Sequence, residues 1–449
     1  MFVGLPRYVR LFSFTQSWRK RKMTASKIYV AVACLLLGFF LTEINCGHRE
    51  NIVRPEKIRS KREVIYDQDT YANLARLWED YYKEFPSEDA YGNWMYAARY
   101  AGLEDYEKLL ERGLKKYPGN PTILYLSGMC RHGTSEDALG RNYLERATQL
   151  DPEYMDPWFS LAGYYMEDGE EERLNLALRH LLEGGAIAEE IMDYNYNMLV
   201  GLAENAILIT NGDNDTYPGW ILTRVLHFRP DVKIVNRSLL NTDWYPIYMI
   251  KEGVPRFITK RELEELRTNI EQEMKAKKVA IGPGGPFGDT LIVRLIEAAI
   301  REGRPVYMSH TLYESDVVKR YREKGRSLGL VSLVTPPTEP YGEELKKLFR
   351  SWLEEYRTGG LDSWRLRHAK AGDAALPIMS NYGAGLYLAL GSAPSETREF
   401  RLNLFRWYQK HLADLLPQNG VRDTMNRMWC GFDDIEEIRN WCRRQGHIE

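Results

Sequence analysis

The stretch AILITNGDNDTYPGW, residues 206–220, sets Asp213 and Asp215 on either side of Asn214 directly after an apolar run. Carboxylates in that pattern supply hard oxygen donors. Joined by Asp243 from a later loop, they form a candidate site for Mg²⁺, Mn²⁺ or Ca²⁺, and such an ion would in turn hold a diphosphate or polyhydroxy ligand. Asn211, Asn214 and Asn241 extend the candidate ligand-binding set with amide donors and acceptors. A second reading stands beside the first. Asn211-Gly212 is a turn pair, Asp215 or Thr216 can accept hydrogen bonds from amides near a helix start, and Pro218 suits a first helical position.

Other chemistry-bearing patterns are thinner. The loop GPGGPFGD, Gly282 to Asp289, could turn backbone amides toward an anion. It lacks the Lys-Ser/Thr of a P-loop and the order of a dinucleotide fingerprint. His310, in YMSHTLYESD, follows an apolar run and could act as acid, base or ligand, or simply be structural. Neither G-x-S-x-G nor H-E-x-x-H occurs, so the familiar hydrolase patterns are absent. Cys430 and Cys442 could form one disulfide or remain two buried thiols.

These residues need elements to position them. From residue 203 to 340, short apolar runs (AILIT, VKIVN, KVAIG, PVYMS, GLVSLV) alternate with amphipathic helical segments. That alternation predicts a mostly parallel, Rossmann-like α/β domain with helices on the sheet faces. Ligands of such sheets collect beyond the carboxyl ends of the strands, where NGDNDTYP, NRSLLNTDWYP and GPGGPFGD all fall. Upstream, residues 60–200 hold three similar strings whose Pro86, Pro118 and Pro152 are spaced by 32 and 34 residues. That period, with WFSLAGYY over 158–165, predicts tetratricopeptide-like helical repeats whose small residues Gly128, Ala147 and Ala162 let paired helices approach. Residues 341–449 read as a C-terminal helical region.

The first 46 residues differ in character. A basic string, WRKRKMTASK, precedes the apolar run Ile28–Leu41, which is short for a bilayer span and suits a signal peptide or membrane anchor. Basic charge before the run places the downstream chain on the extracytoplasmic side, periplasmic or at the outer cell surface. Cys46 lies where a lipidated cysteine would stand. The net charge of −2 argues against nucleic-acid binding.

Over Leu208 to Tyr245, LITNGDNDTYPGWILTRVLHFRPDVKIVNRSLLNTDWY, the chain resembles the soluble extracytoplasmic region of multi-spanning membrane proteins related to the protein O-mannosyltransferases. Arg304–Ser309 (RPVYMS) and the NYGAGLYLAL string are also similar, so the resemblance extends over roughly 203–410. It implies a place among glycosylation components. It carries over no catalytic residue, because transferase chemistry in that family belongs to a multi-helix membrane portion without counterpart here.

The expectation is therefore an exported binding or accessory protein of cell-envelope glycan or glycoprotein assembly. Its repeat array would bind a protein partner such as a membrane glycosyltransferase. The alternative is a metal-dependent glycosyl- or phospho-group transferase using Asp213 and Asp215 on the metal and Asp243 as ligand or base.

Overall fold

Several helix starts are written into the sequence as capping residues. The side chains of Asp67, Ser87 and Asn120 accept from the amides of Thr70 (2.7 Å), Ala90 (3.1 Å) and Ile123 (3.0 Å). They launch α1 (Gln68–Glu84), α2 (Glu88–Ala101) and, after α3 (Tyr106–Lys116), α4 (Pro121–Arg131), which carries proline at its first position. Each cap satisfies amides that the first helical turn leaves unpaired, worth about 1 kcal/mol. The computed structural model describes residues 52–277, 286–370, 372–391, 393, 397–416, 420–432 and 434–447. The expected leader with Cys46, the run KVAIG and the first glycines of the 282–289 loop lie outside the described residues.

The array continues with α5 (Asp137–Leu150), α6 (Asp156–Asp168), α7 (Glu171–Glu183) and α8 (Glu189–Val200). Helices pack in sequential pairs, α1 on α2, α4 on α5 and α6 on α7. Helices α2, α4 and α6 each begin shortly after one of the three regularly spaced prolines. Close approach is enforced at Gly128 on α4, where a β-carbon would sit 2.8 Å from Leu144 and 2.9 Å from the Gly140 carbonyl. Side chains such as Trp78, Leu144, Leu161 and Leu178 are fully buried between the helices. Each such residue contributes roughly 1.5–3 kcal/mol of hydrophobic stabilisation.

The sheet is small and mixed. Its order is β2-β1-β3-β5-β4, from β1 (Ile207–Thr210), β2 (Lys233–Asn236), β3 (Val306–Ser309), β4 (Arg326–Leu328) and β5 (Val331–Leu333). Strands β2, β1 and β3 are parallel, with Ile209 beside Val235 and Met308. The run GLVSLV departs from the expected mostly parallel arrangement, since β5 is antiparallel to both β3 and β4. The reason is local. Only Gly329 and Leu330 separate β4 from β5, and a link that short joins only antiparallel neighbours. Gly329 takes the positive φ of 70° that this turn requires.

Around the sheet lie α9 (Asp213–Trp220), α10 (Tyr245–Lys251), α11 (Lys260–Lys277), α12 (Pro286–Arg301) and α13 (Asp316–Lys324). Helix α9 starts at Asp213, so Pro218 is inside it rather than at its first position. A proline there has no amide for the Asn214 carbonyl four residues back. The buried Asn195 amide of α8 donates to that carbonyl instead, at 2.9 Å.

The C-terminal helices are α14 (Tyr341–Glu354), α15 (Trp364–Arg367), α16 (Ala375–Gly391), α17 (Arg398–His411), α18 (Val421–Cys430) and α19 (Glu436–Arg444). Cys430 and Cys442 form a disulfide across α18 and α19, and Cys130 is a free thiol. The Asn197 amide of α8 donates to Tyr382 on α16 at 2.8 Å and to the Arg357 carbonyl at 2.9 Å, so this region packs back on the array. Residues Pro55–Glu449 make one compact unit. Among the described residues, no helix is long and apolar enough to cross a membrane.

Ahead of α1, residues 55–66 form a strap that sequence periodicity does not announce. The Ile58 amide donates to Asn93 on α2 (2.9 Å), the Trp78 indole donates to the Glu56 carbonyl (3.2 Å), and the Lys61 amide donates to Tyr96 (3.0 Å). Asp156, at the start of α6 and 2% exposed, receives Ser60 (2.6 Å), Arg62 (3.2 Å) and Tyr96 (3.0 Å). The far end of the strap pairs with the segment before α16, through Ile65 to the Gly372 carbonyl (2.7 Å) and Ala374 to the Glu63 carbonyl (2.9 Å). Removing Asp156 leaves a largely buried Arg62 and Tyr96 short of their acceptor. Asp156→Ala should therefore lower the unfolding free energy by about 3 kcal/mol in urea titration. Asp213→Ala, on the exposed side of Arg62, should cost under ~1 kcal/mol.

Candidate functional site

The loop between β1 and α9 is fixed by one buried carboxylate. Asp215 is 2% exposed and accepts the amides of Asn211 and Gly212, both at 2.7 Å. This is the carboxylate half of a capping box, a third-position acid reaching back to the amide before the helix. The same carboxylate also receives hydroxyls from the end of β3, Ser309 at 3.3 Å and Thr311. Burial pushes the Asp215 carboxyl above its ordinary range, and the Thr311, Asn211, Gly212 and Ser309 hydrogen bonds pull it partly back.

Neighbouring strands complete the lock. Thr210 and Thr216 share a hydroxyl hydrogen bond of 2.7 Å, and the Asn236 amide at the end of β2 donates to Thr216 at 2.9 Å. Ser238 and Asn236 both donate to the Asn211 carbonyl, at 3.1 and 3.3 Å. The Asn211 side-chain oxygen takes the Tyr313 amide at 3.2 Å. Three strand ends thus hold one short loop at the carboxyl edge of the sheet.

The two carboxylates of the Asp-Asn-Asp string part company. Asp213 points outward and is ion-paired to Arg62 of the strap at 2.8 Å. Asn241 and Asp243 take other partners. The Asn241 side chain accepts the Gly288 amide at 3.1 Å, and Asp243, 79% exposed, pairs with Arg267 of α11. Among the described residues, no group of three or more His, Cys, Asp or Glu side chains is placed to hold a metal ion. Nor is His310 beside these acids. Its ring contacts Ser332 at 3.3 Å, and burial and the Arg322 charge hold its pKa down to about 4.

What the loop does face is a cleft of about 450 Å³. One wall is Asn211, Gly212, Asp213, Asn214 and Asp215; the other is Lys61 and Arg62 of the strap with Arg99, Tyr100, Tyr125 and Met129 of the array. The start of α16, through Pro377 and Ile378, adds an apolar side. Arg62 is the hinge of the arrangement. It bridges Asp156 to Asp213 and its guanidinium lies 4.3 Å above the Phe159 ring. A pocket of this size with aromatic surfaces and a few oriented polar groups suits a small polyhydroxy molecule, whose hydroxyls meet amides and carboxylates while its apolar face meets a ring.

Lys61, Arg62, Arg99, Tyr100, Tyr125, Ser309 and Thr311 did not stand out in the sequence. The basic string RSKRE before α1 is the one signal that could have drawn attention to the strap, yet nothing local says that it reaches Asp213.

Residues 191–253 match the family model described as TMEM260-associated domain 2. That stretch runs from α8 to just past α10 and contains the whole Leu208–Tyr245 string, with the Asn211–Asp215 loop at its centre. No curated protein matches the chain.

Two outcomes are expected from this packing. Asp215→Asn keeps the volume but turns one acceptor oxygen into a donor facing amide N–H groups, so stability should fall by about 2–3 kcal/mol in urea unfolding. His310, neutral in the folded chain, has a folded pKa below its unfolded value. Its contribution is fully present above pH 6.5 and is lost as pH falls toward 4. Urea midpoints measured from pH 7 to pH 4 should drop less steeply in His310→Gln than in the unaltered chain.

Proposed function

We propose that the protein is an extracytoplasmic glycan-binding accessory module, in which the cleft between the Asn211–Asp215 loop and the strap holds a saccharide. The observation that carries this reading is the composition of the cleft. Tyr100 supplies ring surface beside the amides of Asn211 and Asn214, the Asp213 carboxylate and the Arg62 guanidinium. The match at 191–253 supports it, because the loop that forms one wall lies inside the matched stretch. The disulfide between Cys430 and Cys442 supports an oxidising, extracytoplasmic compartment, as does the apolar run near the N-terminus.

In this reading residues 60–200 form a tetratricopeptide-like array, residues 203–340 a small Rossmann-like α/β domain and residues 341–449 a helical region closing one side. The array docks a protein partner, such as a membrane glycosyltransferase, and brings the saccharide held at the sheet edge to it. Binding takes precedence over metal-dependent transfer because Asp215 is spent on four internal donors, which leaves Asp213 as the one carboxylate of the pair facing the cleft.

A printed array of neutral and acidic oligosaccharides, probed with the purified full-length chain, tests the reading. Retention on a defined subset is expected, with about tenfold loss in Asp213→Ala and in Tyr100→Ala variants that keep the parent unfolding midpoint. Retention of no oligosaccharide above the blank sinks the proposal.

A further inference from the structure

The charges in the cleft are unevenly paired. Arg62 is matched by Asp156 and Asp213, and Asp215 is absorbed by its own hydrogen-bond donors. Lys61 and Arg99 are different. Both line the cleft, and among the described residues neither has a carboxylate within ion-pair distance. They flank a single ring, the Lys61 ammonium 4.5 Å and the Arg99 guanidinium 5.8 Å from the centre of Tyr100. The Arg99 guanidinium also lies beside the Tyr106 hydroxyl, which burial keeps neutral, so its charge is not cancelled there.

Ring faces attract cations by about 0.5–1 kcal/mol each, which offsets desolvation without cancelling charge. Two like charges held on one wall repel each other, and an anion between them removes that repulsion. A planar guanidinium beside a mobile ammonium offers several donors to a carboxylate or a phosphate, the geometry of charge-assisted hydrogen bonding. The opposite wall provides none of this. It offers neutral amides from Asn211 and Asn214 and the Asp213 carboxylate, which suit hydroxyl groups and repel a second acid.

We infer that the cleft selects an anionic saccharide, with the acidic group seated on Lys61 and Arg99 beside Tyr100 and the sugar hydroxyls turned toward the Asn211–Asn214 wall. The inference rests on the glycan-binding reading and names the class of saccharide. It assigns Lys61, an exposed residue of the strap, a binding role that its place outside the α/β region does not suggest.

The test is calorimetric titration of the purified full-length chain at low and moderate salt with four probes: glucuronic acid, glucose 1-phosphate, methyl glucoside and inorganic phosphate. Both acidic sugars, or one of them, should bind at least about tenfold more tightly than methyl glucoside, and the advantage should shrink as salt is raised. The difference between the two acidic sugars identifies the group as carboxylate or phosphate. Lys61→Gln, and Lys61→Gln combined with Arg99→Gln, should weaken the acidic sugars by at least about tenfold more than they weaken methyl glucoside, which removes that advantage. The single variant is the safer probe because Lys61 is exposed.

Acidic sugars no tighter than methyl glucoside, or unaffected by Lys61→Gln, would overturn the inference and leave the glycan-binding reading standing. Inorganic phosphate binding as tightly as glucose 1-phosphate, with methyl glucoside silent, would overturn both, since the cleft would then hold an anion without recognising a sugar.

Discussion

Everything at the sheet edge depends on satisfying one buried carboxylate. Asp215 sits out of water, and an ionised acid there is tolerable only if its oxygens are fully engaged. The donors come from two backbone amides of its own loop and two hydroxyls at the end of β3. Meeting that requirement fixes where β1 ends, where α9 begins and how β3 lies against both. Asp213 is then left on the outer side of the helix start, where only the strap can reach it.

The strap turns a sheet edge into a cleft. Arg62 is held between Asp156 of the array and Asp213 of the loop, and its cation covers Phe159. Because Asp156 is nearly inaccessible and Asp213 half exposed, the bridge is strong at its inner end and adjustable at its outer one. That asymmetry suits a binding wall, since the outer carboxylate can trade Arg62 for a ligand hydroxyl without exposing a buried charge. Proline in α9 shows the same kind of compensation at smaller scale. The carbonyl that Pro218 leaves open is taken by Asn195, which ties the array to the helix behind the loop.

Much of the architecture was legible in the residues. Capping side chains at Asp67, Ser87 and Asn120 mark helix starts, and the proline spacing falls at the beginnings of α2, α4 and α6. The runs ILIT, KIVN and VYMS are strands in a parallel group, as alternation with helices implies. The last run was misleading. VSL belongs to a tight antiparallel turn, and an apolar run carries no sign of its direction; only the two-residue link at Gly329-Leu330 does. Pro218 misled in the same way, because proline favours the first helical turn on average but is accommodated deeper when a neighbour satisfies the freed carbonyl.

By itself, then, the sequence determined local matters: which segments become helix or strand, that Asp213, Asn214 and Asp215 lie on a loop after β1, and that this loop is on the carboxyl edge of a sheet. Those properties come from near-neighbour chemistry and periodicity. Only the tertiary structure decided that Asp215 turns inward and Asp213 outward, that Asn241 and Asp243 pair with Gly288 and Arg267 instead, and that Lys61, Arg62, Arg99 and Tyr100 stand opposite the loop. The reason is separation along the chain. Arg62 and Asp213 are 151 residues apart, and what a charged side chain pairs with at that distance is set by packed helices between them, not by its neighbours in sequence.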